Sequence, residues 1–198
     1  MRDKLVRQAF HETILKPAHE DGDTFVVDEL GLKNGGIRAD IAVINGRLIG
    51  YEIKTERDTL VRLSSQVEAY SEVFHKAFVV LSNNHLKKAL DFIPDWWGVY
   101  TINTESNGSY SFSCYRDAKL NKNQNTFTLA QLLWKTEALE VANVLLRHNV
   151  KAKTSKREIY EVISGTCSRS KLSKIIIQYL KQRNNWRTDR LSLLKNGD

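Results

Sequence analysis

At 198 residues the chain is long enough to bury one core of ordinary domain size without disulfide staples. Hydrophobic residues make up 41% and charged residues 27%, which excludes a disordered chain, and no apolar run approaches the roughly 20 residues of a membrane span. The net charge of +7 is concentrated: residues 151–198 carry 12 Lys and Arg against 4 Asp and Glu, whereas residues 1–150 carry 18 against 19.

Leu5, Val6, Ala9, Phe10 and Ile14 recur at helical spacing, so a first helix is expected over Leu5–Leu15, ending before Pro17. Met1–Phe10 lacks the unbroken apolar stretch of a secretory signal, which makes a cytoplasmic location the expectation. A short strand over Thr24–Val27 and a Gly35-Gly36 loop come next. Two further strands, Asp40–Ile44 and Leu48–Lys54, flank Asn45-Gly46, the strongest short hairpin signal in a sequence. Leu60, Leu63, Val67, Tyr70 and Phe74 share one arc of a wheel and predict an amphipathic helix over Thr59–Phe74, with Asp58 as its cap. A buried strand at Ala77–Leu81, a helix at His85–Phe92, and strands at Gly98–Ile102 and Tyr110–Tyr115 complete a mixed α/β half.

Asp117–Thr126, rich in Asn and Lys, reads as a linker after a first domain of residues 1–116, and a long helix is expected over Leu129–Leu146. Helical patterns at Ser155–Ser164 and Ser168–Arg183 are separated by Gly165-Thr166, a spacing compatible with a helix-turn-helix or winged helix. Cys114 and Cys167 are far apart and read as reduced and structural. The five histidines show no metal-ligand spacing.

Side chains alternate along a strand, so Glu52 and Lys54 project to one side and Tyr51, Ile53 and Thr55 to the other. On an otherwise apolar strand such a pair is costly unless it is satisfied by a partner or a ligand. Asp40 brings a second carboxylate from the neighbouring strand, and two carboxylates with a lysine suit Mg2+, or Mn2+ in its place, together with a phosphate. Lys54 could then stabilise developing charge, orient the attacking water or help deprotonate it. Convergence of the acids depends on the turn: a strict two-residue Asn45-Gly46 loop would turn Asp40 away from Glu52. A three-residue loop with left-handed Gly46, or a bulge near Asp40, puts both acids on one face. One of these irregularities is therefore expected.

Asp40, eleven intervening residues and Glu52-Ile53-Lys54 at a hairpin end together resemble the signature of the PD-(D/E)XK nuclease superfamily. Gln66-Val67-Glu68-Ala69-Tyr70 on the following helix is similar to the Gln-x-x-x-Tyr motif of its RecB-like branch. Ala39 stands where the family name has proline. The resemblance spans about the first half of the chain and implies a restriction-endonuclease-like mixed sheet flanked by helices. It also implies metal ligation by Asp40 and Glu52 with help from the Ile53 carbonyl, catalysis by Lys54, and positioning of water or backbone by Gln66. An upstream acid often joins such sites; Glu29 and Glu12 are the candidates, with Glu29 preferred.

The expected activity is hydrolysis of nucleic-acid phosphodiesters, DNA ahead of RNA, and the rival is a non-catalytic DNA-binding protein on the same scaffold. Arg62 and Tyr70 on the ridge of Gln66, and Lys171, Lys174, Lys181, Arg183, Arg187 and Arg190 in the tail, are the expected contacts to nucleic acid. Core packing is the favoured fate of Trp186. An anionic membrane is the less favoured partner for the tail, and the oligomeric state is left open.

Overall fold

The structure, a computed structural model, describes residues 3–183. Six strands form one mixed sheet in sequential order: β1 (Phe25–Leu32), β2 (Ile37–Ile44), β3 (Leu48–Lys54), β4 (Lys76–Ser82), β5 (Gly98–Thr104) and β6 (Tyr110–Arg116). β1, β2 and β3 are antiparallel neighbours, β3, β4 and β5 run parallel, and β6 returns antiparallel. The parallel steps require crossovers, which α3 (Leu63–Val73) and α4 (Asn83–Leu90) provide. This is the mixed α/β sheet flanked by helices that the sequence predicts, followed by α5 (Thr126–Ala130), α6 (Lys135–Leu146), α7 (Lys156–Thr166) and α8 (Arg169–Gln182).

Each face of the sheet buries its own cluster. On one face α1 (Asp3–Glu12) lays Val6 and Phe10 against Ile41, Val43, Tyr51, Ile53 and Val80. On the other, Leu48, Val79 and Leu81 join a continuous core that runs through α3 and on to Leu129, Ala138, Ile159 and Leu180. α7 packs on α5 and α6, and α8 on α5 and β2. Gly50 of β3 makes the docking of α3 possible: a Cβ there would lie 2.5 Å from Cε2 of Phe74, so only glycine lets that ring lie on the strand.

Several boundaries differ from the sequence reading. The first helix stops at Glu12, and Pro17, whose missing N–H is harmless in a first turn, sits at the start of α2 (Lys16–Glu20). The expected helix over Leu129–Leu146 is two helices broken at 131–134, where Glu137 accepts the Trp134 amide at 2.7 Å and restarts the chain as α6. Asp58 caps no helix; its carboxylate closes a turn by accepting the amide and hydroxyl of Thr55, both at 2.7 Å, and α3 begins only at Leu63. Residues 117–125 form neither helix nor strand, yet Asn121 donates to the carbonyls of Ser71 and Phe74 and Gln124 to that of Val73, which ties the segment to the end of α3. Among the described residues no helix is long and apolar enough to cross a membrane.

Candidate active site

The turn between β2 and β3 decides the site. Ile44 pairs with Leu48, so the loop is the three residues Asn45-Gly46-Arg47, with Gly46 left-handed at φ 91. This is the irregularity expected from the sequence, and it sets the register. The ladder ends at Ile41 opposite Tyr51, and one further step brings Asp40 opposite Glu52. Asp40 then takes over from the backbone: its Oδ2 accepts the Ile53 amide at 2.7 Å.

Glu52 is 1% exposed and nearly saturated with donors. Lys54 Nζ reaches its Oε1 at 2.6 Å, Gln66 Nε2 donates to the same oxygen, and the Tyr70 hydroxyl donates to Oε2 at 2.7 Å. Gln66 and Tyr70 lie one turn apart on α3, so one helix presents both donors to one carboxylate. Tyr70 also touches the backbone of both strands, at the Tyr51 carbonyl (3.1 Å) and the Asp40 amide (3.3 Å). Burial first, and then the carboxylates of Glu52 and Asp40, hold its phenol well above the ordinary range, so it stays a donor. Tyr70 is fully buried against Phe74 and Trp97 and cannot meet nucleic acid, contrary to the sequence expectation.

Arg7 is a site residue that sequence reasoning missed. From α1 its guanidinium reaches Glu29 Oε1 at 2.7 Å and Asp40 Oδ1 at 3.3 Å. No local pattern announces this contact, because the partners lie 22 and 33 residues away. Glu29 has φ 57, a left-handed residue inside β1, and its strand neighbours pair so that it faces Asp40. Its carboxylate meets Arg7 and, at 3.8 Å, Arg38, and it lines the same cleft as Asp40 and Glu52. Among the described residues no three His, Cys, Asp or Glu side chains gather as a metal-binding group. Glu12 is engaged by Gln8 on the surface of α1.

Glu29, Arg38, Asp40, Glu52, Lys54 and Gln66 line a cleft of about 420 Å³ together with Asp3, Asp58, Arg62 and Ser65. Arg62 is exposed at its rim, where a polyanion could reach it. Inside, Gln66 Oε1 is a buried acceptor without a donor among the described residues. Burial, and next the Glu52 carboxylate, push the Asp40 carboxyl up to about 7 against the opposing pull of the Ile53 amide, Arg7 and Lys54.

That shift has a consequence for stability. Between about pH 4 and about pH 7 the folded protein holds a proton on Asp40 that the unfolded chain, with an ordinary value of 3.8, has released. Stability from this group is therefore complete below pH 4 and falls as pH rises, the loss ending above about 7. Melting temperatures in EDTA should show this slope, and Asp40→Asn should flatten it; an unchanged slope in the variant would place the titration elsewhere.

Of the tail residues, Lys171 and Lys174 are exposed on α8. Lys181 is paired with Asp23 at 2.9 Å. Arg183 is buried against Glu137, the Leu132 carbonyl and the face of Trp134, and its place in the core excludes the expected contact with nucleic acid. Arg187, Arg190 and Trp186 lie outside the described residues. The structure also joins histidines that their spacing kept apart: His11 Nδ1 meets His19 Nε2 at 2.9 Å, and His11 Nε2 meets Asp28 at 3.1 Å.

Three comparisons bear on kinship. Among solved structures, SfsA of Pyrococcus furiosus, determined in complex with Ca2+, is similar over 58% of this chain and 65% of its own, just under two thirds of its length. The identity is 15% and the TM-score 0.35, a likeness that carries no argument. Protein cII of Enterobacteria phage P4 is 24% identical over 184 residues, which is 92% of this chain and 68% of that protein. The family of bacteriophage P4 protein cII matches residues 4–196, nearly the whole length. The chain belongs to the bacteriophage P4 protein cII family.

Proposed function

We propose that this protein is a divalent-metal-dependent nuclease that hydrolyses phosphodiester bonds in DNA. The observation that carries the reading is the convergence of Asp40, Glu52 and Lys54 at the end of one hairpin, with Gln66 and Tyr70 of the next helix on Glu52. That is the arrangement implied by the resemblance to PD-(D/E)XK nucleases.

The residues fit a hard cation. Two carboxylates face each other in the cleft, where burial and next the charge of Glu52 raise the Asp40 carboxyl. Gln66 Oε1 is an orphaned acceptor beside them. Asp40 and Glu52 would hold Mg2+, or Mn2+ in its place, with the Ile53 carbonyl and Gln66 within the same cleft. When bound, such an ion supplies an activated water and polarises the scissile phosphate.

The remaining work falls to the chain itself. Tyr70 locks Glu52 by donating to it from a buried position, which fixes the carboxylate relative to both strands. Lys54, only 5% exposed, keeps its ammonium beside Glu52, where it can donate to a phosphate oxygen or orient the attacking water. Arg7 must release Asp40 Oδ1 for that oxygen to serve as a ligand, and the 3.3 Å separation marks the weaker of its two contacts.

The contacts of Lys54 and Arg7 also favour a second reading, in which these cations take the place of a metal and the protein binds DNA without cutting it. Incubation with plasmid and single-stranded DNA in Mg2+ or Mn2+, and then in EDTA, separates the two. Cleavage that EDTA abolishes is the expected result; binding with intact DNA in every lane would leave the second reading standing.

A further inference from the structure

A second cleft opens at the opposite end of the hairpin. It is about 270 Å³ in volume and lies between the turn residue Arg47, His75 before β4, Lys122 in the segment after β6, and Arg169, Ser173 and Lys174 on α8. Among the described residues no Asp or Glu lines it. Four of these six side chains are permanent cations on three separate parts of the chain, brought together only by folding.

Two details bear on what the cleft could hold. Ser173 is 3% exposed, lines the cleft, and its hydroxyl has no hydrogen-bond partner among the described residues. A buried hydroxyl left unpaired is destabilising unless something outside the chain satisfies it. The second detail is local. The first two turns of α8 carry Arg169, Lys171 and Lys174 and no acid in the first turn, placing cations at the positive end of the helix dipole. Local charge that opposes its own helix is compensated when an anion sits at that end.

His75 fits the same picture. Its Nδ1 accepts the Leu48 amide at 3.0 Å, which leaves Nε2–H as a donor on the neutral ring. Burial first, and then the charges of Arg47 and Arg169, lower its pKa and keep it neutral, so it offers a donor without adding charge. Arg169 also donates to the Lys122 carbonyl, which fixes one wall of the cleft.

We propose that this cleft is a phosphate site and that its occupant is a backbone phosphate of nucleic acid, held away from the acid pair. Arg47 in the turn and Glu52 on β3 are five residues apart, roughly 17 Å at strand spacing, so a bound strand could reach both ends of the hairpin. The choice of nucleic acid as the source rests on the function proposed above; the anion site does not.

The test uses the full chain in EDTA, so that cleavage plays no part. Inorganic phosphate should raise the melting temperature of the wild type more than chloride at equal ionic strength. Ser173→Ala should keep or raise the basal melting temperature while weakening phosphate binding about tenfold, the loss of one hydrogen bond to a charged group. The exposed pair Arg47→Ala/Lys174→Ala should fold normally and lose the phosphate response. The same pair should bind a short fluorescent single-stranded oligonucleotide about tenfold more weakly than wild type in an anisotropy titration.

No phosphate response beyond chloride, or an undiminished one in Arg47→Ala/Lys174→Ala, overturns the site. A phosphate response with unchanged oligonucleotide affinity in that variant overturns nucleic acid as the occupant and leaves free phosphate. Because no arm measures cleavage, failure of the nuclease reading would appear separately, in the metal-dependent assay.

Discussion

Lys54→Met should lower metal-dependent DNA cleavage by about 10²–10⁴-fold while leaving oligonucleotide affinity in EDTA within about twofold of wild type. The size follows from the proposed role. Among the described residues Lys54 is the one ammonium in contact with the Glu52 carboxylate, and its proposed role is to act on the phosphate or the water, an interaction strongest in the transition state. Methionine keeps the length and apolar stem, and Glu52 retains its contacts from Gln66 and Tyr70, so the fold should survive. The check is a single-turnover cleavage rate at saturating Mg2+, alongside a far-ultraviolet circular dichroism melt. If wild type and variant cut alike, Lys54 does no chemistry and the nuclease assignment fails.

Glu137→Ala should cost about 3–5 kcal/mol of stability, the largest loss expected from any single substitution outside the site. Glu137 and Arg183 are 8% and 9% exposed, and the guanidinium meets both carboxylate oxygens, at 2.8 and 2.5 Å. Glu137 also accepts the Trp134 amide, and Arg183 donates to the Leu132 carbonyl and lies 4.3 Å over the Trp134 ring. The pair therefore clamps the end of α8 onto the start of α6. Removing the acid strands a buried cation and uncaps a helix, whereas Glu137→Ala combined with Arg183→Met removes both charges and should recover part of the loss. Denaturant unfolding of the three proteins measures it; a loss under about 1 kcal/mol in the single variant would mean that water reaches the guanidinium.

The parts of the site legible in the sequence are those set by short-range geometry. Leu48–Lys54 is found with the bounds its alternation predicts, and Glu52 and Lys54 share a face because a strand repeats every two residues. Gln66 and Tyr70 meet Glu52 together because four residues make about one helical turn. Asn45-Gly46 announced a turn, and the demand that two acids converge announced its irregularity, but Gly46 permits either loop length. Only pairing with β1 on one side and β4 on the other fixes Ile44 opposite Leu48.

Charge was the poorer guide, because a cation's sequence position does not disclose its partner. Lys181 and Arg183, counted with the basic tail, are spent on Asp23 and Glu137, 158 and 46 residues away. Arg7, unremarkable on the polar side of its helix, becomes the cation over Asp40. Local periodicity thus determined which side chains could act as a unit, since backbone repeats are properties of neighbouring residues. Tertiary packing decided which charges remain available to a ligand, since ion pairs and burial depend on segments that meet only when the sheet closes against its helices.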